Sequence, residues 1–312
     1  MFLNTAVWIK VMLAILIAFV VSFALTPVVK ILAQKVGAMD VPGEARRVHD
    51  HPIPRMGGLA IFLGFILSVV LFADITRQVR GILLGAVLIV ACGAIDDIIS
   101  LRAWVKLIVQ IVAAVVAVAH GVVIEVLMNP NIFSENEALI LGVLAVPVTV
   151  LWIVGITNSV NLIDGLDGLA SSVCATVAAF TLLLAVWRRD ADSTVLAAAL
   201  LAGMLGFLVF NHHPAQMFMG DTGSLFLGGV IMGCAMMAGE LLLFVLAGFV
   251  FVADMLTSLL QRWYFRLTHG KRLFPIAPIH HSFEKWGFGE YAVMGLFAGV
   301  SALFCVLAWF GK

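Results

Sequence analysis

Charge is what this chain has least of. Only 12% of its 312 residues are Asp, Glu, Lys or Arg, where a soluble domain carries about 25%. Acidic and basic residues number 18 each, so the formal net charge is zero. No basic stripe is left over to hold a polynucleotide, and nucleic acid is excluded as a partner. Cysteine is scarce as well. Cys92, Cys174, Cys234 and Cys305 all fall inside apolar runs, without zinc-ligand spacing. They read as buried free thiols rather than disulfides or metal ligands. Also missing are a fixed-period repeat and any polar stretch long enough to be a soluble domain.

Apolar sequence fills the chain instead: 63% of residues are hydrophobic and mean hydropathy is +1.14. Segments near the ~20 residues that a bilayer core requires run over 6–32, 56–74, 80–95, 103–121, 139–157, 168–187, 194–210, 223–239, 241–265 and 291–310. Each is expected to be a helix, because in lipid only helices and closed barrels satisfy their own backbone. The expectation is an all-α integral membrane protein of about ten spans, a single polytopic domain over 1–312. The opening MFLNTAVWIK has no basic leader or small-residue cleavage site, so a retained first span is expected. GVVIEVLMNPNIFSENEAL (121–139) alternates apolar and polar residues around Asn129-Pro130. That pattern predicts a small extramembrane β-hairpin.

Lys and Arg give the orientation. With the N-terminus outside, the cytoplasmic loops hold Lys30, Lys35, Arg46, Arg47, Arg55, Arg102, Lys106, Arg262, Arg266, Lys271, Arg272 and Lys285. The other side holds Lys10, Arg77, Arg80, Arg188, Arg189 and Lys312. Twelve against six puts both termini outside and the hairpin on the extracytoplasmic face. Arg188 and Arg189 dissent.

That orientation sorts the polar motifs. RRVHDHPIPRMGG (46–58), GAIDDIISL with Asp96 and Asp97, NSVNLIDGLDGLA (158–170), FMGDTGSLF with Asp221, and APIHHSF with His280 and His281 all emerge on the cytoplasmic side. Five polar stretches far apart in sequence converge on one face, which reads as one cytoplasmic active site.

Carboxylates suit a hard cation that keeps substrate phosphates among its ligands, as Mg²⁺ does. Asp96 and Asp97 are adjacent, so on a helix they point about 100° apart and serve two roles rather than clamping one ion. A metal shared with Asp221 is the more natural arrangement; a solvated helix end is the alternative for the pair. Asp221 precedes an apolar helix and reads alone as an N-cap. Between Gly220 and Gly223 it also makes an anion-friendly helix start. Asp164 and Asp167 share a side if their turn is helical, and Gly165 and Gly168 let the backbone approach a flat ring. Phe218 could cover such a ring or simply pack. The loop with Lys271, Arg272, His280 and His281 reads either as a cationic cover over a pyrophosphate or as a surface loop drawn to lipid headgroups.

RRVHDHPIPRMGG, GAIDDIISLRAWVKLIVQ, VGITNSVNLIDGLDGLA and NHHPAQMFMGDTGSLFLGG, in this order, resemble the polyprenyl-phosphate N-acetylhexosamine-1-phosphate transferases. The resemblance covers about residues 25–290. It implies ten transmembrane helices, a cytoplasmic Mg²⁺ site (Mn²⁺ substituting), and transfer of a sugar 1-phosphate from a UDP-sugar to polyprenyl phosphate with release of UMP. It implies further that Asp96 is base or positioner for the lipid phosphate, with Asp97 beside it, and that Asp221 binds magnesium, shared with Asp97. The same resemblance puts the nucleotide against Asn161, Asp164, Gly165, Leu166, Asp167 and Phe218. The donor sugar and phosphates fall to His280, His281, Arg272 and Asn211. A homodimer is left open.

Residues 25–228 look like the WecA/TagO branch, with PIPRMGG, LIDGLDGLA and Ser100 after the aspartate pair. THGKRLFPIAPIHHSFEKWGFGE (268–290) looks like the MraY loop, with Ser282 in place of its third histidine. The longer match favours UDP-GlcNAc as donor; the loop favours UDP-MurNAc-pentapeptide. An ion-coupled transporter is the alternative from another class, since transporter sites lie near the midplane on broken helices. Only Asp254 lies well inside a span.

Overall fold

A computed structural model describes residues 4–41, 51–128, 138–237 and 241–310. Its helices are α1 (Thr5–Val36), α2 (Gly58–Phe72), α3 (Arg77–Ile99), α4 (Ala103–Ala119), α5 (Ala145–Ile163), α6 (Leu169–Arg188), α7 (Ala191–Asn211), α8 (Gly220–Met237), α9 (Leu241–Ala247), α10 (Phe249–Leu267), α11 (Ile279–Lys285) and α12 (Glu290–Phe310). Seven of them, α1, α3, α5, α6, α7, α8 and α12, are long and apolar enough to cross a membrane. Of the remaining expected spans, α2 and α4 are apolar but only 15 and 17 residues long. The segment expected at 241–265 divides at Gly248 into α9 and α10.

Two short antiparallel pairs complete the described chain. Strands β1 (Met39–Asp40) and β2 (Ile53–Pro54) pair Met39 with Pro54 and Asp40 with Ile53. Strands β3 (Val126–Met128) and β4 (Ala138–Ile140) pair Val126 with Ile140. The latter lie where a hairpin is expected, and the connection around Asn129-Pro130 falls outside the described residues. So do Arg46, Arg47 and the rest of 46–50.

Helix α8 is the hub. Fifteen of its 18 residues are buried, and it packs against α2, α3 and α5. Contact with α2 is close enough that the backbones touch: a Cβ on Gly58 would stand 2.0 Å from the Cα of Gly223. Small residues at helix crossings permit such approach where lipid gives no hydrophobic drive to associate. The PIPRMGG segment thereby reaches the start of α8. Phe218 N–H donates to the Pro54 carbonyl, while Gly57 and Gly58 N–H donate to Phe218 and Met219 carbonyls, all at 2.9 Å. Two motifs more than 150 residues apart are thus laced by main chain.

Helix α10 shows how apolar sequence can still carry a polar stripe. Val250, Phe251, Asp254 and Ser258 are buried at helical spacing. Leu256, Leu259, Leu260 and Trp263 are exposed on other faces, as expected of a helix bordering lipid.

Candidate active site

The start of α8 is held by a carboxylate from α3. Asp97 Oδ1 accepts from Asp221 N–H at 3.0 Å, and Oδ2 accepts from Thr222 N–H at 3.0 Å and Thr222 Oγ1 at 2.6 Å. These are orphan donors of a helix terminus, which favour a negative charge. Gly220, at φ +68°, leaves room for this: a Cβ there would meet Asp97 Oδ2 at 2.4 Å. The Arg55 Nη2 lies 3.3 Å from Asp97 Oδ1. Both Asp97 oxygens are therefore engaged with the start of α8, directly beside Asp221. Asp97 positions the helix that carries Asp221.

Asp96 turns elsewhere. Its Oδ1 accepts from Leu101 N–H at 2.7 Å, and its Oδ2 takes Lys106 Nζ at 3.1 Å. The same ammonium lies 2.7 Å from Asp221 Oδ2, bridging the two carboxylates. Asn161 Nδ2 donates to Asp221 Oδ1 at 3.0 Å and to Ser224 Oγ at 2.8 Å. Asp221 is thus fixed by a cation on one oxygen and an amide on the other.

Asp221 opens into a cavity of about 530 Å³, lined also by Arg55, Asn161, Asp164, Gly165, Leu166, Asp167 and Phe218. Pockets for small molecules run about 300–1,000 Å³, so a sugar nucleotide's bulk fits. The turn after α5 delivers Asp164, which is half-buried. Desolvation, and then the nearby Asp221, push its carboxyl up to about 8. A group bound more tightly to its proton in the folded state destabilises that state as pH rises from its ordinary 3.8 through 8. In cation-free detergent, the melting temperature of the wild type is expected to fall between pH 6 and pH 8.5. Asp164→Asn should flatten that fall while abolishing activity; an unchanged pH slope in differential scanning fluorimetry would refute it.

One wall joins Asp167, His213 and Glu290, whose ligand atoms lie within 4.8 Å of one another. Asp167 Oδ2 accepts from His213 Nδ1 at 2.9 Å and from Ala215 N–H at 2.8 Å, while Glu290 Oε2 accepts from Asp167 N–H at 3.2 Å. The imidazole between two carboxylates ties the turn at 164–168 to the start of α12.

The histidine loop closes the other side. A Cβ on Gly165 would stand 2.7 Å from His280 Nε2 and 3.1 Å from His281 Nε2. His281 Nδ1 donates to Glu284 Oε2 at 2.7 Å. Burial, then His280, lower the His281 pKa against the opposing pull of Glu284, so its Nε2 is an acceptor at neutral pH. Ser282 faces away, buried, with Oγ bonded to the Ile276 carbonyl at 2.5 Å.

Two expected residues stand apart. Asn211 is buried, its amide spent on the Met217 carbonyl at 3.0 Å and its oxygen on Ser171 Oγ at 2.6 Å. Arg272 is exposed and donates to the Pro275 carbonyl at 3.4 Å. Neither lines the cavity; Asp96, Asp97, His280 and His281 do not line it either, but contact residues that do or reach them through Lys106. Conversely, sequence reasoning counted Lys106 and Arg55 only as loop charges. Lys106 lies ten residues beyond Asp96 and Arg55 immediately precedes Met56-Gly57-Gly58, and those positions were the available signal. His213 and Glu290 carried none.

The family description that matches is Glycosyl transferase family 4, over residues 79–239, just over half of the chain. The chain belongs to glycosyl transferase family 4. The matched segment carries the Asp96–Asp97 pair, the turn with Asp164 and Asp167, and all of α8. Among relatives, a Bacillus subtilis protein described as a probable undecaprenyl-phosphate N-acetylglucosaminyl 1-phosphate transferase is 43% identical over 70% of this chain and 61% of its own length. A phospho-N-acetylmuramoyl-pentapeptide-transferase of Clostridium beijerinckii is 33% identical over 96% of both. One of Heliobacterium modesticaldum is 39% identical over 80% of both. This family member is thus similar to enzymes acting on two different sugars, and it is a multi-pass membrane protein by its seven apolar helices.

Proposed function

We propose that this protein transfers N-acetylglucosamine 1-phosphate from UDP-GlcNAc to polyprenyl phosphate, releasing UMP, in cell-envelope glycan synthesis. The observation that carries the reading is Asp221 at the edge of a nucleotide-sized cavity, with Lys106, Asn161 and Asp164 around it. The 43% identical relative supports this donor.

Asp164 and Asp221 put hard oxygen donors on one cavity wall and raise each other's electrostatic cost there. That is a fit for Mg²⁺, with Mn²⁺ substituting, bound by one or two carboxylates plus substrate phosphates. Such an ion supplies charge neutralisation on the transferring phosphoryl group. The chain's own groups do the rest. Phe218 stacks over the base; the Gly165 turn lets the nucleotide approach the backbone; Arg55 and Lys106 offset phosphate charge. His280 and His281 hold Nε2 atoms, as acceptors, against the Gly165 turn on the side of the donor's sugar. An oxygen of the lipid phosphate attacks the sugar-bearing phosphorus, its bond to the bridging oxygen breaks, and UMP leaves. A phosphate monoester has its second pKa near ~6, so the acceptor is already largely dianionic. Asp96 therefore positions the acceptor more than it deprotonates it, and alignment of two anions dominates.

In this reading the chain crosses the membrane ten times, α9 and α10 counted as one, with the site on the cytoplasmic side and both termini and the hairpin outside. The excess of Lys and Arg on that side supports the orientation.

Transfer of MurNAc-pentapeptide phosphate is the second reading, favoured by relatives that match along 96% of the chain. Ser282, where this loop departs from the MraY pattern, is buried and bonded to Ile276, so the departure leaves the two imidazoles against Gly165 in place. Transport has less support, because Asp254 is paired with His280 rather than open to an ion. Purified protein given radiolabelled UDP-GlcNAc, polyprenyl phosphate and Mg²⁺ is expected to yield labelled lipid and UMP, at least about tenfold faster than UDP-MurNAc-pentapeptide does. The reverse ratio would establish the second reading, and no product from either donor would defeat both.

A further inference from the structure

A carboxylate buried in a membrane helix is costly and usually serves a function. Asp254 in α10 is 0% exposed, and so is His280 in the loop above it. Oδ2 and Oδ1 of Asp254 lie 3.0 and 3.1 Å from His280 Nδ1, and Oδ1 lies 3.4 Å from the His280 backbone N–H. The carboxylate thus grips both the ring and the main chain of one residue. The other ring nitrogen, Nε2, is buried with no partner among the described residues. It packs against Gly165, whose other side lines the cavity.

We propose that Asp254 is a positioning residue for His280: by accepting the Nδ1 proton it fixes the tautomer and holds Nε2, an acceptor in that tautomer, against the Gly165 turn that lines the cavity, on the side of the donor's sugar hydroxyl and N–H groups. This rests on the function proposed above. A histidine nitrogen that carries a proton is chosen by the hydrogen bond its partner nitrogen makes. His281 repeats the device with Glu284, which binds its Nδ1 at 2.7 Å. Two carboxylate-oriented imidazoles then present Nε2 to one point. Asp254 is not alone on α10 in holding this loop. Two turns further along α10, Gln261 Oε1 accepts from Leu273 and Phe274 N–H at 3.0 and 2.9 Å, and within the loop Ser282 Oγ accepts from Ile276 N–H. The polar stripe of α10 is therefore a mount for the histidine loop, which explains an intramembrane acid without ion transport.

The test uses the full-length protein in detergent. Asp254→Ala is expected to lower kcat about 10- to 100-fold, the scale for removing a group that orients a functional histidine. UMP affinity should stay within about twofold, because UMP lacks the donor's sugar. Asp254→Asn, which keeps the size, should fall between. Asp254→Ala/His280→Ala should be no worse than His280→Ala alone, as for groups acting as a unit. Isotope-labelled histidine NMR should show Nδ1 protonated on His280 and that signal displaced in Asp254→Ala. The proposal is overturned by wild-type kcat in Asp254→Ala, by losses that multiply in the double variant, by UMP affinity falling in step with kcat, or by an unmoved His280 signal. Failure of the functional reading shows separately, as an inactive wild type, and the NMR result still decides the pair.

Discussion

Asp221→Asn is expected to slow sugar-phosphate transfer by about 10³-fold, the scale of losing one preorganised charge where a phosphoryl group is transferred. The side chain is nearly enclosed at 8% exposed. It faces Lys106 Nζ at 2.7 Å and Asn161 Nδ2 at 3.0 Å. An amide of the same size keeps the packing and one hydrogen bond but removes the charge that matches Lys106 and any bound cation. The loss should appear in kcat, read as UMP release under saturating donor and lipid. The melting temperature should move little, because Asp97 and not Asp221 caps α8. An Asn variant within threefold of wild type would remove Asp221 from the centre of the mechanism.

Gly58→Ala is expected to cost about 3 kcal/mol or more, beyond ordinary overpacking. The added methyl would stand 2.0 Å from the Cα and 2.1 Å from the N of Gly223, and 2.7 Å from the carbonyl carbon of Thr222. All three are backbone atoms, so no side chain can swing aside. Separating α2 from α8 would also break the main-chain bonds from Gly57 and Gly58 to residues 218 and 219. Fluorescence-detected size exclusion should show little folded protein. Gly155 is the control: it lies inside α5, and a Cβ added there would meet nothing within 4 Å. At that position alanine should be neutral or slightly favourable, by its better helix propensity. Equal yields of the two variants would contradict the tight crossing.

Much of the site was legible because motif order survives folding. The DGLDG turn and MGDTG line one cavity; the aspartate pair reaches it through the start of α8 and Lys106, and the histidine pair packs against Gly165. The two-role expectation for Asp96 and Asp97 follows from helical geometry, and the structure gives them different partners: Lys106 for one, the start of α8 for the other. What the sequence hid was which polar groups are spent internally. Asn211 sits in a functional-looking motif, yet Ser171 and Met217 use its amide. Lys106 looked like a positive-inside charge because hydropathy counts charge and not direction. Span counting was limited by length: 15 and 17 residues in α2 and α4 are short of ~20, and Gly248 interrupts the ninth segment.

The cap that Asp97 places on α8 also constrains how the chain is made. Asp97 leaves the ribosome more than a hundred residues ahead of its donors on Asp221 and Thr222. Throughout that interval an acidic group near the end of an inserting helix must stay wet or borrow the Arg55 guanidinium, already synthesised and 3.3 Å away in the finished protein. Arg55 is thus an assembly partner for Asp97 first, and a nascent chain halted short of α8 contains the aspartate pair without Asp221 or the cavity it lines.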